Sequence, residues 1–169
     1  MQRIIQAIST EQIAQVQELF REYARMPGVA PCVDDFEREV VGLPGPYAPP
    51  GGTLLLAVGE IAQSSSAAAG CVALRPWGER ACEMKRLYVR PAFRGTGAGR
   101  VLVKEVIAAA RFIGYEKILL DTLPSMQAAH ELYRSLGFRQ IPPYQQKPIP
   151  GALFFELTLS GIRDVAVNL

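Results

Sequence analysis

The stretch from Cys82 to Gly114 constrains the fold of this chain more than any other. Cys82 to Val89 reads as a strand, Arg94 to Gly99 as a turn, and Ala98 to Ile113 as a helix. Leu102, Val106, Ala109 and Ile113 repeat along that helix at the spacing of one apolar stripe, and Gly114 stands at its stop position. Gly95, Gly97 and Gly99 alternate directly before it. Glycine permits positive φ and lets a ligand approach the backbone closely. The first turn of a helix leaves N–H groups without intrahelical partners. A glycine-rich turn running into a helix start is therefore an anion site, for phosphate above all.

Two familiar phosphate patterns are absent. In the dinucleotide spacing G-x-G-x-x-G the third glycine would fall at Arg100 or at Leu102, and no Gly-Lys pair exists for an ATP-type loop. What remains is Arg94-Gly95-x-Gly97-x-Gly99 after a strand ending Leu87-Tyr88-Val89. On the glycines alone, an ordinary tight strand-to-helix turn fits as well.

The rest of the chain supplies strands before this unit and alternating elements after it. Arg3 to Ile8 reads as a strand, and Ser9-x-x-Gln12 as a capping box that opens a helix running to about Tyr23. Asp34 or Asp35 starts a short helix to about Val41. Gly42 to Gly52 is a long breaker-rich connection. Thr53 to Val58 and Ala69 to Leu74 read as strands around a turn at Gly59 to Ser66. Beyond the central helix come a strand at Lys117 to Asp121, a helix at Ser125 to Ser135, a proline-rich Pro142 to Pro150, and a last strand at Gly151 to Leu159. The tail from Ser160 carries no clear signal. This order argues a mixed sheet with helices on both faces.

A length of 169 residues suits one domain, and a net charge of +2 implies neither nucleic acid nor an anionic membrane as partner. No apolar run is long enough to span a membrane, and Met1 to Ile5 lacks the apolar core of a signal peptide. Cys32, Cys71 and Cys82 have no C-x-x-C spacing and read as free thiols in a cytoplasmic protein. With His130 the single histidine, no zinc site suggests itself.

The run Leu87-Tyr88-Val89-Arg90-Pro91-x-Phe93-Arg94-Gly95-x-Gly97-x-Gly99 closely resembles the acyl-CoA-binding core of the GNAT superfamily of N-acetyltransferases. The family's Arg/Gln-x-x-Gly-x-Gly/Ala element falls on Arg94, Gly97 and Gly99. A second block, Ala129-x-x-Leu132-Tyr133-x-x-Leu136-Gly137-Phe138, resembles the family's C-terminal helix and the turn after it. The two blocks and the strand between them cover about residues 82 to 140. The resemblance implies one α/β (α+β mixed-sheet) domain over 1–169 with the GNAT-like acyl-CoA N-acyltransferase fold. It further implies an acetyl-CoA-dependent N-acetyltransferase acting by direct attack in a ternary complex. The acceptor would be a small-molecule or peptide amine, with no nucleic acid and no membrane involved, and a homodimer is common in the family. Two other readings stand beside it: a non-catalytic acyl-CoA-binding sensor, and a nucleotide-binding turn in an unrelated α/β domain.

The resemblance gives each residue a task. Backbone N–H groups of Arg94, Gly95, Thr96, Gly97, Ala98, Gly99 and Arg100 cradle the pyrophosphate. The side chains of Arg94 and Arg100 either add to this or are solvated surface arginines. Leu87, Tyr88 and Val89 splay from the next strand to pair with pantetheine, and the N–H of Leu87 or Tyr88 stabilises the oxyanion. Strand alternation puts Glu83, Lys85, Leu87 and Val89 on one face. Charges on a central strand are costly unless that face meets a cleft. Glu83 is therefore the candidate base, directly or through a water; it otherwise pairs with Lys85. Glu60, or an amine needing no base, is the alternative. Tyr133 aligns with the tyrosine that protonates the CoA thiolate in many family members, and is otherwise a core tyrosine. One departure is Met126, where many family helices carry Asn to contact the cofactor; Ser125 or Gln127 would have to replace it. His130 reads as a surface or helix-packing residue. Tyr47, Trp77, Tyr144 and the proline-rich loops are expected to wall the acceptor pocket, with Gly42 to Gly52 on the acceptor side.

Overall fold

A computed structural model describes residues 2–29, 33–61 and 65–159, with backbone alone at 33–34, 60–61 and 65–66. In chain order the elements are β1 (Arg3–Gln6), α1 (Thr10–Ala24), α2 (Val33–Val41), β2 (Thr53–Ile61), β3 (Ser65–Trp77) and β4 (Ala81–Val89). There follow α3 (Ala98–Ile113), β5 (Lys117–Thr122), α4 (Gln127–Ser135), β6 (Arg139–Ile141) and β7 (Leu153–Thr158). The strands form one sheet in the order β1-β2-β3-β4-β5-β7-β6. Among the described residues, β4 and β5 are the parallel pair, and every other neighbour is antiparallel.

Side-chain alternation divides the interior into two layers. On β2, Leu54 and Leu56 join a core with Val16, Leu19 and Phe20 of α1 and Phe36 and Val40 of α2. Leu55 and Ala57 face the other way, toward Leu102, Val103, Val106 and Ala110 of α3. Those four α3 residues show no exposure; burying a side chain of Leu or Val size contributes roughly 1.5–3 kcal/mol. The Ser9 Oγ accepts from the Gln12 N–H at 3.2 Å, and the Gln12 Oε1 accepts from the Ser9 N–H at 3.0 Å, which closes the expected capping box. Gly114, at φ 102°, ends α3 by donating to the Ala110 carbonyl.

The structure departs from the sequence reading at three places that matter for the site. First, β3 pairs Cys71 with Tyr88 but Ala73 with Lys85, so β4 carries one extra residue. The bulge centres on Arg86, whose φ of 59° is left-handed. Second, β2 and β3 run on through much of the expected turn. Third, the proline-rich segment is preceded by the short strand β6, and within 42–52 a 3-10 turn, Gly45–Tyr47, buries Tyr47. The tail from Ser160 and the residue Cys32 lie outside the described residues; Cys71 and Cys82 are free and buried. Burial pushes the Cys82 thiol up to about 12, leaving it unreactive at neutral pH.

Candidate active site

The site forms where the sheet parts. β4 and β5 are paired from Ala81–Lys117 to Glu83–Leu119, and there the pairing stops although both strands continue. Residues 84 to 89 of β4 therefore have no strand partner on the β5 side. The Arg90 N–H bonds to the Ala69 carbonyl of β3. In an antiparallel ladder the direction of these groups alternates. Tyr88 consequently turns its N–H toward β3, while Leu87 and Val89 turn theirs toward the gap. Of the two oxyanion donors expected, the ladder favours Leu87.

The bulge corrects the expected side-chain pattern. Glu83, Lys85, Leu87 and Val89 do not share a face. Cys82 and Met84 lie on the α3 side, and after the extra residue at Arg86 so do Leu87 and Val89. Glu83, Lys85 and Tyr88 face the α1/α2 side, opposite Arg75, Ala73 and Cys71. One inserted residue reverses the phase of everything that follows it.

A cavity of about 540 Å³ opens at the parting, lined from both sides of the sheet. Tyr133, Ala129 and Met126 of α4 approach from one side, Tyr23 of α1 and Phe36 and Glu39 of α2 from the other. Lys85, Arg86 and Asp121 line the α1/α2 side with them. Tyr133 packs against Phe138 and Phe155, at 5.7 and 6.0 Å between ring centres. Its hydroxyl makes no hydrogen bond among the described residues, yet no buried polar side-chain atom there lacks a partner, so that hydroxyl meets the cavity. Burial pushes it above the ordinary tyrosine value, which keeps it protonated through the neutral range.

The turn before α3 has the shape the sequence implies. Gly95 and Gly97 adopt φ of 78° and 88°, and a Cβ at either would meet no atom within 4 Å. Backbone conformation, not crowding, thus selects glycine at both, and the space above the turn is open. Ala98, Gly99 and Arg100 are the first three residues of α3 and present the unpaired N–H groups of its first turn. Thr96 donates to the Phe93 carbonyl, Arg94 Nε to the Val89 carbonyl at 3.0 Å, and Arg100 Nη2 to Ser135 Oγ at 2.8 Å. Each contact holds the turn in place, and the two arginines bring positive charge to it. These residues fit an anionic pyrophosphate.

Glu83 is placed differently from the other candidates. It is wholly buried, and its carboxylate accepts from Arg75 at 2.6 and 2.8 Å, from Tyr144 Oη at 2.9 Å and from Gln145 Nε2 at 3.1 Å. It lies beneath the cavity wall, not on it. Lys85 Nζ is 3.9 Å from it and 2.7 Å from Asp121 Oδ1. The Glu60 side chain lies outside the described residues.

The acceptor-side expectations also shift. Tyr47 is buried with its hydroxyl on Glu39, and Trp77 stacks edge-on against Tyr144, whose hydroxyl is on Glu83. None of the three lines the cavity; Asp35, Phe36, Glu39, Gln145 and Ile149 do. The segment 42–52 supplies no wall residue, whereas α2 just before it does. Met126 itself lines the cavity, and Ser125 and Gln127 do not. His130 is a packing residue: it is 5% exposed, bonds the Leu123 carbonyl at 3.0 Å and lies against Phe155. Sequence reasoning missed Arg86, Glu39 and Asp121. Of these, only Asp121 carried a signal, as a carboxylate ending a buried strand.

Among the described residues, no helix is long and apolar enough to cross a membrane. The family model for the acetyltransferase (GNAT) family matches residues 13–138. An uncharacterized N-acetyltransferase of Schizosaccharomyces pombe is 39% identical over 143 residues, covering 84% of this chain and 85% of the relative. An acetyltransferase of the GNAT family from Staphylococcus aureus superposes with a TM-score of 0.78 at 18% identity, over 95% of this chain and 100% of that one. A Salmonella typhimurium protein solved with its cofactor acetyl-CoA gives 0.64 at 19% identity, over 97% of each chain. A glycine turn at a helix start, two strands that part beside it, and a family match across most of the chain converge: this protein belongs to the GNAT family of acetyltransferases and is an acetyl-CoA-dependent acyltransferase.

Proposed function

We propose that the chain moves the acetyl group of acetyl-CoA to a primary amine by direct attack, both molecules being bound at once. The observation that carries this reading is the cavity through the parted sheet, with Tyr133 on one side and Lys85, Arg86 and Asp121 on the other. Donor and acceptor can then meet from opposite faces at the edge of β4, and proximity of this kind supplies much of a rate enhancement.

The turn residues 94 to 100 bind the pyrophosphate, and on the open edge of β4 the Leu87 carbonyl and the Val89 N–H pair with the pantetheine amides, the Val89 carbonyl being held by Arg94 Nε. Asp121 Oδ2 takes the proton of the incoming ammonium. The Leu87 N–H faces the carbonyl oxygen that gains charge as the amine nitrogen bonds to the thioester carbon. Tyr133 gives its proton to sulfur as the C–S bond breaks, and the second proton of the attacking nitrogen restores it through solvent, so that the neutral acetylated amine and free CoA leave. Glu83, with its acceptor positions filled, holds the Gln145 wall and Arg75 in place.

Calorimetric titration with acetyl-CoA, with ATP and NAD as controls, tests the donor. Selective binding of acetyl-CoA is expected; equal binding of ATP would sink the reading. Tyr133→Phe, followed by release of free thiol, tests the acid. Turnover should fall about 100-fold or more while acetyl-CoA affinity stays within twofold. Undiminished turnover would remove the role of Tyr133.

A further inference from the structure

The α1/α2 side of the cavity is built from two ion pairs on adjacent residues of the bulge. Lys85 Nζ donates to Asp121 Oδ1 at 2.7 Å, and Arg86 Nη2 and Nε donate to Glu39 at 2.6 and 3.2 Å. Side-chain exposure in both pairs is only 12–18%. Asp35, which also lines the cavity, is 73% exposed and belongs to its mouth. The enclosed part therefore carries two positive and two negative charges.

The hydrogen-bonding capacity of these four residues is unevenly used. Glu39 accepts from Arg86 through both oxygens and from the Tyr47 hydroxyl as well. Asp121 Oδ2, in contrast, accepts nothing among the described residues. On the donor side, Lys85 spends one of its three hydrogens on Asp121, and its 3.9 Å approach to Glu83 is too long for a second bond. Arg86 Nη1 has no acceptor at hydrogen-bonding distance there, although the guanidinium also lies near the Tyr23 hydroxyl. Among the described residues no buried side-chain polar atom lacks a partner, so these unused atoms are open to the cavity that their residues line.

We infer that the acceptor is a free α-amino acid, its ammonium on Asp121 Oδ2 and its carboxylate on Lys85 Nζ and Arg86 Nη1. The inference rests on the acyltransfer reading and narrows it. A free anionic oxygen and a free cationic donor occur within one directly bonded pair. Only an acceptor whose own opposite charges lie a few bonds apart can meet both. Within the enclosed part, a polyamine would set a second ammonium against Lys85 or Arg86, which already engage their carboxylate partners. An uncharged amine carrier would leave two desolvated cations with unused donors. A zwitterion leaves the balance of the enclosed charges unchanged.

The test is thiol release by the purified full chain with acetyl-CoA and three sets of amines: the common free L-amino acids, the same amino acids as α-amides, and spermidine. At least one free amino acid should exceed its amide in kcat/KM by about tenfold or more, the loss expected when a charged hydrogen-bond partner is removed. Lys85→Gln should shrink that acid-to-amide ratio toward unity through KM for the acid, a change that general loss of folded protein would not produce. Amides or spermidine turned over as well as the acids would overturn the inference. So would failure to acetylate any free amino acid by protein that binds acetyl-CoA. Absence of acetyl-CoA binding would instead remove the acyltransfer reading, and this inference with it.

Discussion

Replacing Glu39 with glutamine asks whether the bulge in β4 is held from outside the strand. Arg86 sits at φ 59°, a conformation that costs a residue bearing a Cβ about 1–2 kcal/mol. What secures it is two-point contact with Glu39, together with the Phe36 and Tyr23 rings at 5.1 and 5.8 Å from the guanidinium carbon. Removing one partner of a fully buried ion pair typically costs 3–5 kcal/mol. Here the pair is 17–18% exposed, and glutamine still offers one carbonyl oxygen, so a loss of roughly 2–3 kcal/mol is expected. In a protein of this size, that corresponds to a fall in Tm of roughly 4–12 °C. Thermal unfolding followed by circular dichroism measures it. Arg86→Gly relieves the backbone but gives up the pair, so combining it with Glu39→Gln should add little further loss. The cycle should give a coupling of at least about 1.5 kcal/mol. A Tm for Glu39→Gln within about 1 °C of the parent, or strictly additive effects, would show that the bulge is fixed within β4 itself.

Gly97→Glu places a side chain at φ 88° and a carboxylate over the turn; acetyl-CoA affinity by calorimetry should fall at least about tenfold, and unchanged affinity would undo the phosphate-turn reading. Tyr144→Phe leaves the buried Glu83 with one donor fewer, so stability in urea should drop by about 1–2 kcal/mol; no change would mean that a water takes the place of the hydroxyl. The Glu39 carboxyl is pushed up by burial, but the bonds and charge of Arg86, with the Tyr47 hydroxyl, take it below its ordinary 4.5. A lowered carboxyl stabilises above its ordinary value, and that stability is lost as pH falls through the lowered one. The Tm gap between parent and Glu39→Gln should therefore be full at pH 6 and shrink below about pH 4; a gap that held constant to pH 3 would contradict the pairing.

The glycine turn was legible because its residues answer to local backbone rules: Gly95, Gly97 and Gly114 stand where φ is positive, and a sequence shows such positions directly. The two-layer core was legible in the element order, which argues helices on both faces of one sheet, and the apolar run Leu54 to Ala57 feeds both layers. The bulge was not, because arginine gives no sign of left-handed backbone. The residue that holds it, Glu39, is 47 positions away. Every assignment that depended on alternation beyond Arg86 inherited that error, including the shared face of Glu83 with Leu87. For Glu83 the sequence rightly demanded compensation for a charge on a central strand. It could not show that Arg75, Tyr144 and Gln145 supply it from a neighbouring strand and a distant loop. Helix α2 entered the cavity wall through long-range packing, which has no local signature.

The short parallel contact between β4 and β5 also governs how the molecule would come apart. It ends at Glu83–Leu119, so the sheet is two antiparallel blocks, β1 to β4 and β5 with β7 and β6, stitched along a brief seam. Any molecule that bonds to both lips of the opening acts as extra stitching. Its binding energy adds directly to the resistance of the seam, by about 2.7 kcal/mol at a hundred times its dissociation constant. The stiffness of this joint is thus set by a concentration outside the chain, and the slowing of amide exchange on saturation should be concentrated along residues 84 to 89 and 120 to 122.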